Sequence, residues 1–265
     1  MTLSHQRIAE LEWANYAATL ASAEVTPGLD VTLRDDVILN RSAHFPTPDV
    51  NHAALLRATA ATVEPLLDKV TAYFQEIDVP ATVYLSPACT PPDLPARLEA
   101  RGFMRQSDEE AWMVTYDFSA LQLSPPPAYL EIRRIGPDEA KTFAEVFMRA
   151  FEMPLEYAPA MAQLLRPSIG LPGMYHYLAY QDDAPVGTMS LLCHGDVGIL
   201  GSAGVVQLRR GTRIASSLGY QARADAWAEG MEAAVLQTTA GTLLERFLRI
   251  VGFERGFTRT CYVRP

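Results

Sequence analysis

The chain has 265 residues, of which 49% are hydrophobic and 20% charged, and a formal net charge of −9. This composition is typical of a globular protein with one large or two small domains, and the negative charge argues against a general nucleic-acid binder and mildly favours a cationic small substrate. No apolar run reaches the roughly 18 residues of a membrane span, no apolar signal core opens the chain, and the three cysteines match neither a disulfide framework nor a metal spacing, so a cytoplasmic setting is expected.

The first half of the chain alternates predicted helices and strands. Apolar residues at steps of three and four predict a helix over 3–24, which Thr26-Pro27-Gly28 ends. The elements predicted after it are one strand or a short hairpin at 31–40, a loop at 44–51, a helix at about 52–77, a strand at 81–85, a short helix at 93–101 and a strand at 112–116.

Two groups of polar residues in this half are interpreted as solvated. His44 and His52 flank Asp49 across a proline-containing loop, and a solvated loop is favoured over a metal site, so no metal is expected. The acidic run Asp108–Glu110 is interpreted as the exposed face of a turn.

Residues 123–128 contain three consecutive prolines and form the clearest predicted linker, between a domain at 1–122 and a domain at 129–265. The elements predicted after it are a strand at 129–135, a helix at 138–151, a helical or irregular stretch at 155–166, a hairpin of strands at 175–181 and 186–194, a strand at 199–206, a basic turn at 207–212, a helix at 212–229, a strand at 233–238, a helix at 242–251 and a strand at 257–263.

The two halves share a local repeat. Residues 98–103 (Leu-Glu-Ala-Arg-Gly-Phe) parallel residues 248–253 (Leu-Arg-Ile-Val-Gly-Phe), and each copy follows a strand and a helix and precedes a strand. This similarity favours two like folds in tandem, with chance recurrence as the alternative.

The stretch 197–219 is a candidate phosphate-binding device. An apolar strand leads into Arg209-Arg210-Gly211-Thr212-Arg213 and then into a predicted helix. The N-terminus of a helix presents free N–H groups and partial positive charge, which suit a phosphate or pyrophosphate. Taken alone, the pattern fits an ordinary strand–turn–helix with solvated arginines equally well.

This stretch resembles the acetyl-CoA motif of the GCN5-related N-acetyltransferases (GNATs), Arg/Gln-x-x-Gly-x-Gly/Ala after a strand. Arg210 takes the first place and Ala215 the last, whereas Arg213 stands where the family has glycine. The resemblance continues through Val235–Thr238 and Gly252-Phe253, and it covers about the last 140 residues in order. It implies an α/β fold of two GNAT-like subdomains, with mixed, mostly antiparallel sheets flanked by helices, in which the first subdomain is degenerate and lacks the CoA motif.

The resemblance also implies a cofactor site and an activity. Acetyl-CoA would be the co-substrate, and the acceptor would be an unidentified small amine that attacks the thioester directly. Backbone groups on the core strand would pair with the pantetheine arm, and the turn with the first residues of the helix would hold the pyrophosphate. The implied residues are Ala203, Gly204, Val205, Arg210, Gly211, Thr212, Arg213, Ile214, Ala215 and Ser216.

The catalytic groups are less well defined by sequence. The family's usual general acid is a tyrosine near the position of Leu248, but no tyrosine occurs from 221 to 261. Ser202 could order a water, and His194 has a side chain suited to act as the base. The other candidates for the base are Glu152, Glu156, Tyr175, His176 and Asp196.

The expectation is therefore an acetyl-CoA-dependent N-acetyltransferase. The alternative is a non-catalytic GNAT-like protein that senses CoA or serves as an interaction module. Neither nucleic acid nor membrane is an expected partner, and a monomer and a homodimer both remain open.

Overall fold

The computed structural model describes residues 2–42, 47–48 and 50–265. His44 and Asp49 of the predicted loop lie outside the described residues, whereas His52 lies within them. All statements below concern the described part of the chain.

The first half forms helices and strands in nearly the predicted order. They are α1 (His5–Ala23), β1 (Leu29–Leu33), β2 (Ile38–Ser42), β3 (His52–Ala54), α2 (Val63–Gln75), β4 (Ala81–Leu85), α3 (Leu94–Ala100) and β5 (Met104–Thr115). The predicted first helix is confirmed, with the Ser4 side chain accepting a hydrogen bond from the N–H of Arg7 at its start. The 31–40 segment adopts the hairpin alternative, because β1 and β2 pair antiparallel.

The second half follows the predicted pattern within a few residues. Its elements are β6 (Leu130–Arg134), α4 (Ala140–Ala150), α5 (Ala158–Leu165), β7 (Met174–Gln181), β8 (Ala184–His194), β9 (Val197–Val205), α6 (Ile214–Ala228), β10 (Ala233–Thr239), α7 (Leu243–Ile250) and β11 (Glu254–Arg264). None of the described helices has the length and apolar character that a membrane span requires.

The predicted helix at 52–77 is wrong over residues 52–62. Residues 52–54 form β3, which pairs with β2 on one side and β4 on the other, and helix α2 starts only at Val63. Leu55 has φ of 50°, which an α-helix does not allow. A short apolar run cannot by itself distinguish a buried strand from a helix, and here the neighbouring strands decide.

The interpretation of Asp108–Glu110 as a turn is also wrong. These residues lie within β5, which begins eight residues earlier than the predicted strand at 112–116. Glu110 lies opposite Arg259 of β11, and Arg105 forms an ion pair with Glu109. Cross-strand and nearby ion pairs therefore allow a charged run to remain in the sheet.

The described strands form one continuous sheet in the order β1-β2-β3-β4-β11-β5-β10-β9-β8-β7-β6. The neighbours pair antiparallel except for β3 with β4 and β9 with β10, which are parallel. The predicted α/β class with a mixed, mostly antiparallel sheet is confirmed. The two halves exchange their last strands within this sheet. Strand β11 of the second half lies between β4 and β5 of the first, and β5 of the first half lies between β11 and β10 of the second.

The sequence repeat corresponds to a structural repeat. Each half contains a parallel strand pair joined by a helix (α2 or α6), then a second helix (α3 or α7) and a final strand. At the end of the second helix, Gly102 and Gly252 both have positive φ, and the next N–H, of Phe103 or Phe253, bonds back to Leu98 or Leu248.

The helices cover the two faces of the sheet. Helix α1 packs on Trp112 and Val114 of β5, and α4 packs on Leu178 of β7. Helices α2, α3, α6 and α7 lie on the opposite face. There, residues of α6 form one hydrophobic cluster with Tyr177 of β7 and Met113 of β5. Side chains alternate along a strand, so these contacts assign each helix to a face. We call the face beneath α1, α4 and α5 the upper face and the other the lower face.

The proline-rich segment lies against α6. Leu123 packs on Gly219, where an added Cβ would lie 3.2 Å from the leucine side chain. The N–H of Ser124 donates to the Ser216 hydroxyl at 3.0 Å, and the N–H of Gln122 donates to the carbonyl of Val251. The domain boundaries at 123–128 stay a prediction.

Candidate functional site: a cleft between two parallel strands

The candidate site begins where β9 and β10 separate. Their parallel pairing ends at Leu200 and Leu236. Beyond that point β9 continues alongside β8 to Val205, whereas β10 continues alongside β5 to Thr239. The edge of β9 over residues 201–205 therefore has no partner among the described strands on the side that faced β10. Apart from the Val205 carbonyl, which accepts a hydrogen bond from Arg210, the backbone groups of this edge are available to a ligand.

A β-bulge shapes this free edge. Ser190 of β8 lies opposite Gly201, but Thr188 lies opposite Gly204, so β9 has one extra residue between them. Ser202 at the bulge has φ of 50°, and its carbonyl accepts a hydrogen bond from the Thr188 hydroxyl at 2.7 Å. The bulge turns the backbone at the point where the two strands diverge.

The first half has the same bulge but no cleft. The register of β2 and β3 aligns Ala54 with Ile38, and the N–H of Arg57 then bonds to Asp36, which also requires one extra residue. Leu55 at this bulge has φ of 50°, as Ser202 has. Here, however, the N–H of Thr90 donates to Leu56 and the N–H of Ala58 donates to Thr90.

By this register Leu56 and Ala58 correspond to Ala203 and Val205. The carbonyl of Leu56 and the N–H of Ala58, which correspond to the free carbonyl of Ala203 and the free N–H of Val205, are thus bonded to Thr90. The potential cleft of the first half is closed by the chain itself.

The cleft of the second half opens into a cavity of about 1260 Å³. The cavity reaches both faces of the sheet, because its lining includes Leu218 of α6 from the lower face and Asn15 of α1 from the upper face. Of the predicted site residues, those that line it are Ser202, Ala203, Gly204, Val205, Arg210 and Ala215. The remaining ones, Gly211, Thr212, Arg213, Ile214, Ser216 and His194, do not line it.

The N-terminus of α6 lies at one end of this cavity. Its first helical residue is Ile214, and the preceding Arg213 makes no side-chain cap, so first-turn N–H groups are left without intrahelical partners. Arg213 has φ of −79°, which any residue adopts, and its guanidinium points to the carbonyl of Pro125 at 3.4 Å. The arginine in the place of the family's glycine therefore requires no unusual backbone.

Arg210 is held on the turn before α6. Its guanidinium donates to the carbonyl of Ala150 at 2.6 Å and to that of Val205 at 3.3 Å, and it forms an ion pair of 2.9 Å with Glu152. Glu152 is 57% exposed. The Arg210 side chain thus joins the turn to the end of α4 while it lines the cavity.

Comparisons with known proteins agree with this geometry. No protein-family model and no curated protein matches the chain. Among solved structures, a GCN5-related N-acetyltransferase from Kribbella flavida superposes with a TM-score of 0.70 at 17% identity, over 94% of each chain. A tandem GNAT protein from the clavulanic acid biosynthesis pathway gives 0.64 at 14% identity, over 93% of this chain and 86% of that one. A GCN5-related N-acetyltransferase from Sphaerobacter thermophilus gives 0.58 at 17% identity, over 95% of this chain and 90% of that one.

The chain has the tandem GNAT fold. At these identities the likeness concerns the fold alone. Within this fold, the cleft described above lies where β9 and β10 separate.

The predicted candidates for a base are scattered around this GNAT fold. His194 is exposed at the β8–β9 turn, at the end of β9 away from the cleft, and Asp196 of the same turn forms an ion pair with Arg7. The Tyr175 hydroxyl donates to Glu229. His176 lines the cavity but is buried beside the Ser190 hydroxyl at 2.8 Å, and burial lowers its pKa to about 4.

Cys193 lies on β8 beside the candidate His194, and burial raises the pKa of its thiol to about 12, which makes it a poor nucleophile. Leu248, at the place of the family's tyrosine, is buried in the core. Helix α7 presents Leu243, Leu244 and Phe247 to the cavity. The surface that α7 turns toward the cleft is therefore apolar.

Sequence reasoning missed a buried ionic cluster at the upper face, which we call the Arg259 cluster. Its members are Glu12, Tyr16, His52, Glu110 and Arg259. The guanidinium of Arg259 donates to Glu110 at 2.6 Å, to the Tyr16 hydroxyl at 2.8 Å and to Glu12 at 3.3 Å. The Tyr16 hydroxyl is also 2.6 Å from Nε2 of His52, so the predicted solvated loop position of His52 is wrong.

Burial dominates the electrostatics of the Arg259 cluster. It raises the pKa of Glu12 and lowers that of His52 to about 4, where the positive charge of Arg259 acts in the same direction. His52 is thus neutral at pH 7. A sequence signal for this arrangement exists. Glu110 lies two residues from Trp112, and Arg259 lies two residues from Phe257, so each charge shares a strand face with an aromatic residue.

Proposed function

We propose that the chain is an acyl-CoA-dependent N-acyltransferase that transfers an acetyl group to a small amine. The observation that carries the proposal is the unpaired edge of β9 in the second half, at backbone positions whose counterparts in the first half are closed by Thr90. A free strand edge that opens into a large cavity suits an extended ligand with amide groups, such as pantetheine.

The residues of this chain fit acetyl-CoA. The carbonyl of Ala203 and the N–H of Val205 would bond to the pantetheine amides. The N-terminus of α6, with Arg210 and the N–H of Ala215, would hold the pyrophosphate. Gly204 supports this arrangement, because a Cβ there would lie 2.8 Å from both Ala150 and Phe151 and would displace α4 from the cleft.

The proposed reaction is direct transfer. The bound ammonium ion first gives one proton to water, and the neutral nitrogen then attacks the thioester carbonyl, so that a C–N bond forms and the C–S bond breaks. The nitrogen loses its second proton to water, and the sulfur leaves as thiolate and is protonated by solvent. A thiol with a pKa of about 8.5 leaves readily at neutral pH, so the apolar surface of α7 is compatible with turnover without a side-chain acid.

Calorimetric titration with acetyl-CoA tests the cofactor site, with 3′-dephospho-CoA as the comparison. We expect binding at micromolar concentration or tighter, about −8 kcal/mol or better. Release of free CoA thiol in the presence of an amine library then tests the activity. Binding without amine-dependent thiol release would favour the non-catalytic alternative, and absence of binding at millimolar acetyl-CoA would reject the proposed site.

A further inference from the structure

The upper-face part of the cavity forms a chamber of its own. Its floor consists of β8, β9, β10 and β5, and its walls are α1 on one side and α4 with α5 on the other. The cleft between β9 and β10 connects this chamber to the lower face, where α6 and α7 lie. A donor bound along α6 would therefore meet an acceptor in the chamber at the free edge of β9.

Glu110 lies on the chamber floor directly beside the cleft. It is opposite Thr239, the last residue of β10, and opposite Arg259 on its other side. Its Oε2 accepts hydrogen bonds from Arg259 at 2.6 Å and from Trp112 at 2.7 Å. No described residue donates to its Oε1, and the side chain remains 23% exposed to the cavity.

The charges around Glu110 leave room for a cation. Only Oε2 of Glu110 takes part in the ion pair with Arg259, whose guanidinium also bonds to Glu12. The neighbouring His52 is neutral at pH 7, because burial lowers its pKa to about 4. An ammonium group at Oε1 of Glu110 would gain a charge-assisted hydrogen bond in a site of low dielectric.

The wall opposite α1 is apolar. Phe147 of α4 and Phe151 just after it have ring centroids 4.4 Å apart, and Phe151 packs against Gly204 of the free edge. Met153 and Met161 continue this wall, and both are partly exposed and line the cavity. Aromatic rings and flexible thioethers bind a compact apolar body.

We propose that the acceptor is a primary monoamine with a compact apolar body. Glu110 would hold its ammonium group, and the apolar wall of Phe147, Phe151, Met153 and Met161 would hold its body. The inference rests on the proposed function. The acceptor site would then contain residues of both halves, because Glu110 lies on β5 of the first half, which pairs with β10 of the second. It excludes linear diamines, whose second charge would be placed against the apolar wall.

Calorimetry on the protein saturated with CoA tests the proposal with three probes: 2-phenylethylamine, 2-phenylethanol and 1,4-diaminobutane. We expect the first to bind at least tenfold more tightly than either of the others. Equal affinity for the alcohol would overturn the role of Glu110, and preference for the diamine would overturn the role of the wall. Acetyl-CoA affinity, measured separately, reports on the proposed function alone.

Two variants locate the contacts. Glu110→Gln should weaken 2-phenylethylamine binding at least tenfold and leave 2-phenylethanol and acetyl-CoA unchanged. Met161→Trp does not touch the Arg259 cluster and should exclude both phenyl compounds. Leu155→Trp, at an exposed position outside the cavity, is the matched control for Met161→Trp and should leave binding of both phenyl compounds unchanged. Unchanged amine affinity in a folded Glu110→Gln variant, or unchanged binding in Met161→Trp, would contradict the proposal.

Discussion

Leu55 and Ser202 have the same φ, 50°, at corresponding bulges of the two halves. In both halves one extra residue in the parallel strand turns the backbone outward. The two halves differ in what lies beside the strand after the bulge. The residues after Leu55 bond to the backbone of Thr90, whereas the residues after Ser202 pair with no described strand on the side that faces β10. One molecule thus contains a closed and an open version of the same strand geometry.

From this difference we expect one acetyl-CoA per chain. The backbone groups of Leu56 and Ala58 are bonded to the backbone and hydroxyl of Thr90, so binding in the first half would first require three hydrogen bonds to break. Calorimetric stoichiometry near one would agree with this expectation. A stoichiometry of two, with similar affinities, would show that the first half also opens.

Filling the cleft at Gly201 should abolish transfer without affecting the fold. A Cβ at Gly201 meets no atom within 4 Å, and the residue lies opposite Ser190 at the start of the free edge. We expect Gly201→Leu to reduce transfer at least 100-fold, about 2.7 kcal/mol, with an unchanged melting temperature. Gly136→Leu, which also has open surroundings but lies outside the cavity, should retain activity.

Removing the charge of Glu152 should strengthen cofactor binding. Glu152 competes with a phosphate for Arg210, and an exposed ion pair of this kind contributes about 0.2–1 kcal/mol. We expect Glu152→Gln to tighten acetyl-CoA binding about twofold and Arg210→Ala to weaken it. Glu156→Gln makes the same charge change away from the cavity, and an equal effect there would assign the gain to net charge.

Glu245 anchors the start of α7 and should make stability depend on acid pH. It accepts hydrogen bonds from Arg255 at 2.8 Å and 2.5 Å and from the N–H of Gly241 at 2.7 Å, and the bonds from Arg255 chiefly lower its pKa from 4.5 to about 2. Because the folded pKa is the lower one, the stabilisation is complete above pH 4.5 and is lost as the pH falls toward 2.

We expect Glu245→Gln to lower the unfolding free energy by about 2 kcal/mol at pH 7. Urea unfolding should show a smaller difference between this variant and the wild type at pH 3. Glu99→Gln, at an exposed position on α3, should change little at either pH. A difference that does not vary with pH would argue against the ionised Glu245 as its source.

The exchanged strands predict that the halves depend on each other. Residues 1–122 alone would lack β11 between β4 and β5, and residues 129–265 alone would lack β5 beside β10. Each fragment would expose unpaired strand edges and aggregate. Co-expression should instead give a soluble one-to-one complex by size-exclusion chromatography, and cooperative unfolding of either fragment alone would contradict this.

Local patterns account for most of the fold. Apolar spacing predicted α1 and the second-half elements, because those segments carry an unambiguous period and clear ends at Gly252 and Thr26-Pro27-Gly28. The same reasoning failed at His52–Leu56, where the run is short and the pairing with β2 decides. It also failed at Glu110, because a charged run taken alone is typical of an exposed turn, and the partner Arg259 that keeps it in the sheet lies far along the chain.

The sequence by itself determined the α/β class, the order of the elements and the part of the cavity lining formed by Ala203–Val205, Arg210 and Ala215. These features depend on residues close together in the chain. Only the tertiary structure decided that β5 and β11 change places, that Thr90 closes one cleft and not the other, and that Glu110 stands beside the open one. Each of these depends on pairing between distant strands, whose partners and register no local pattern specifies.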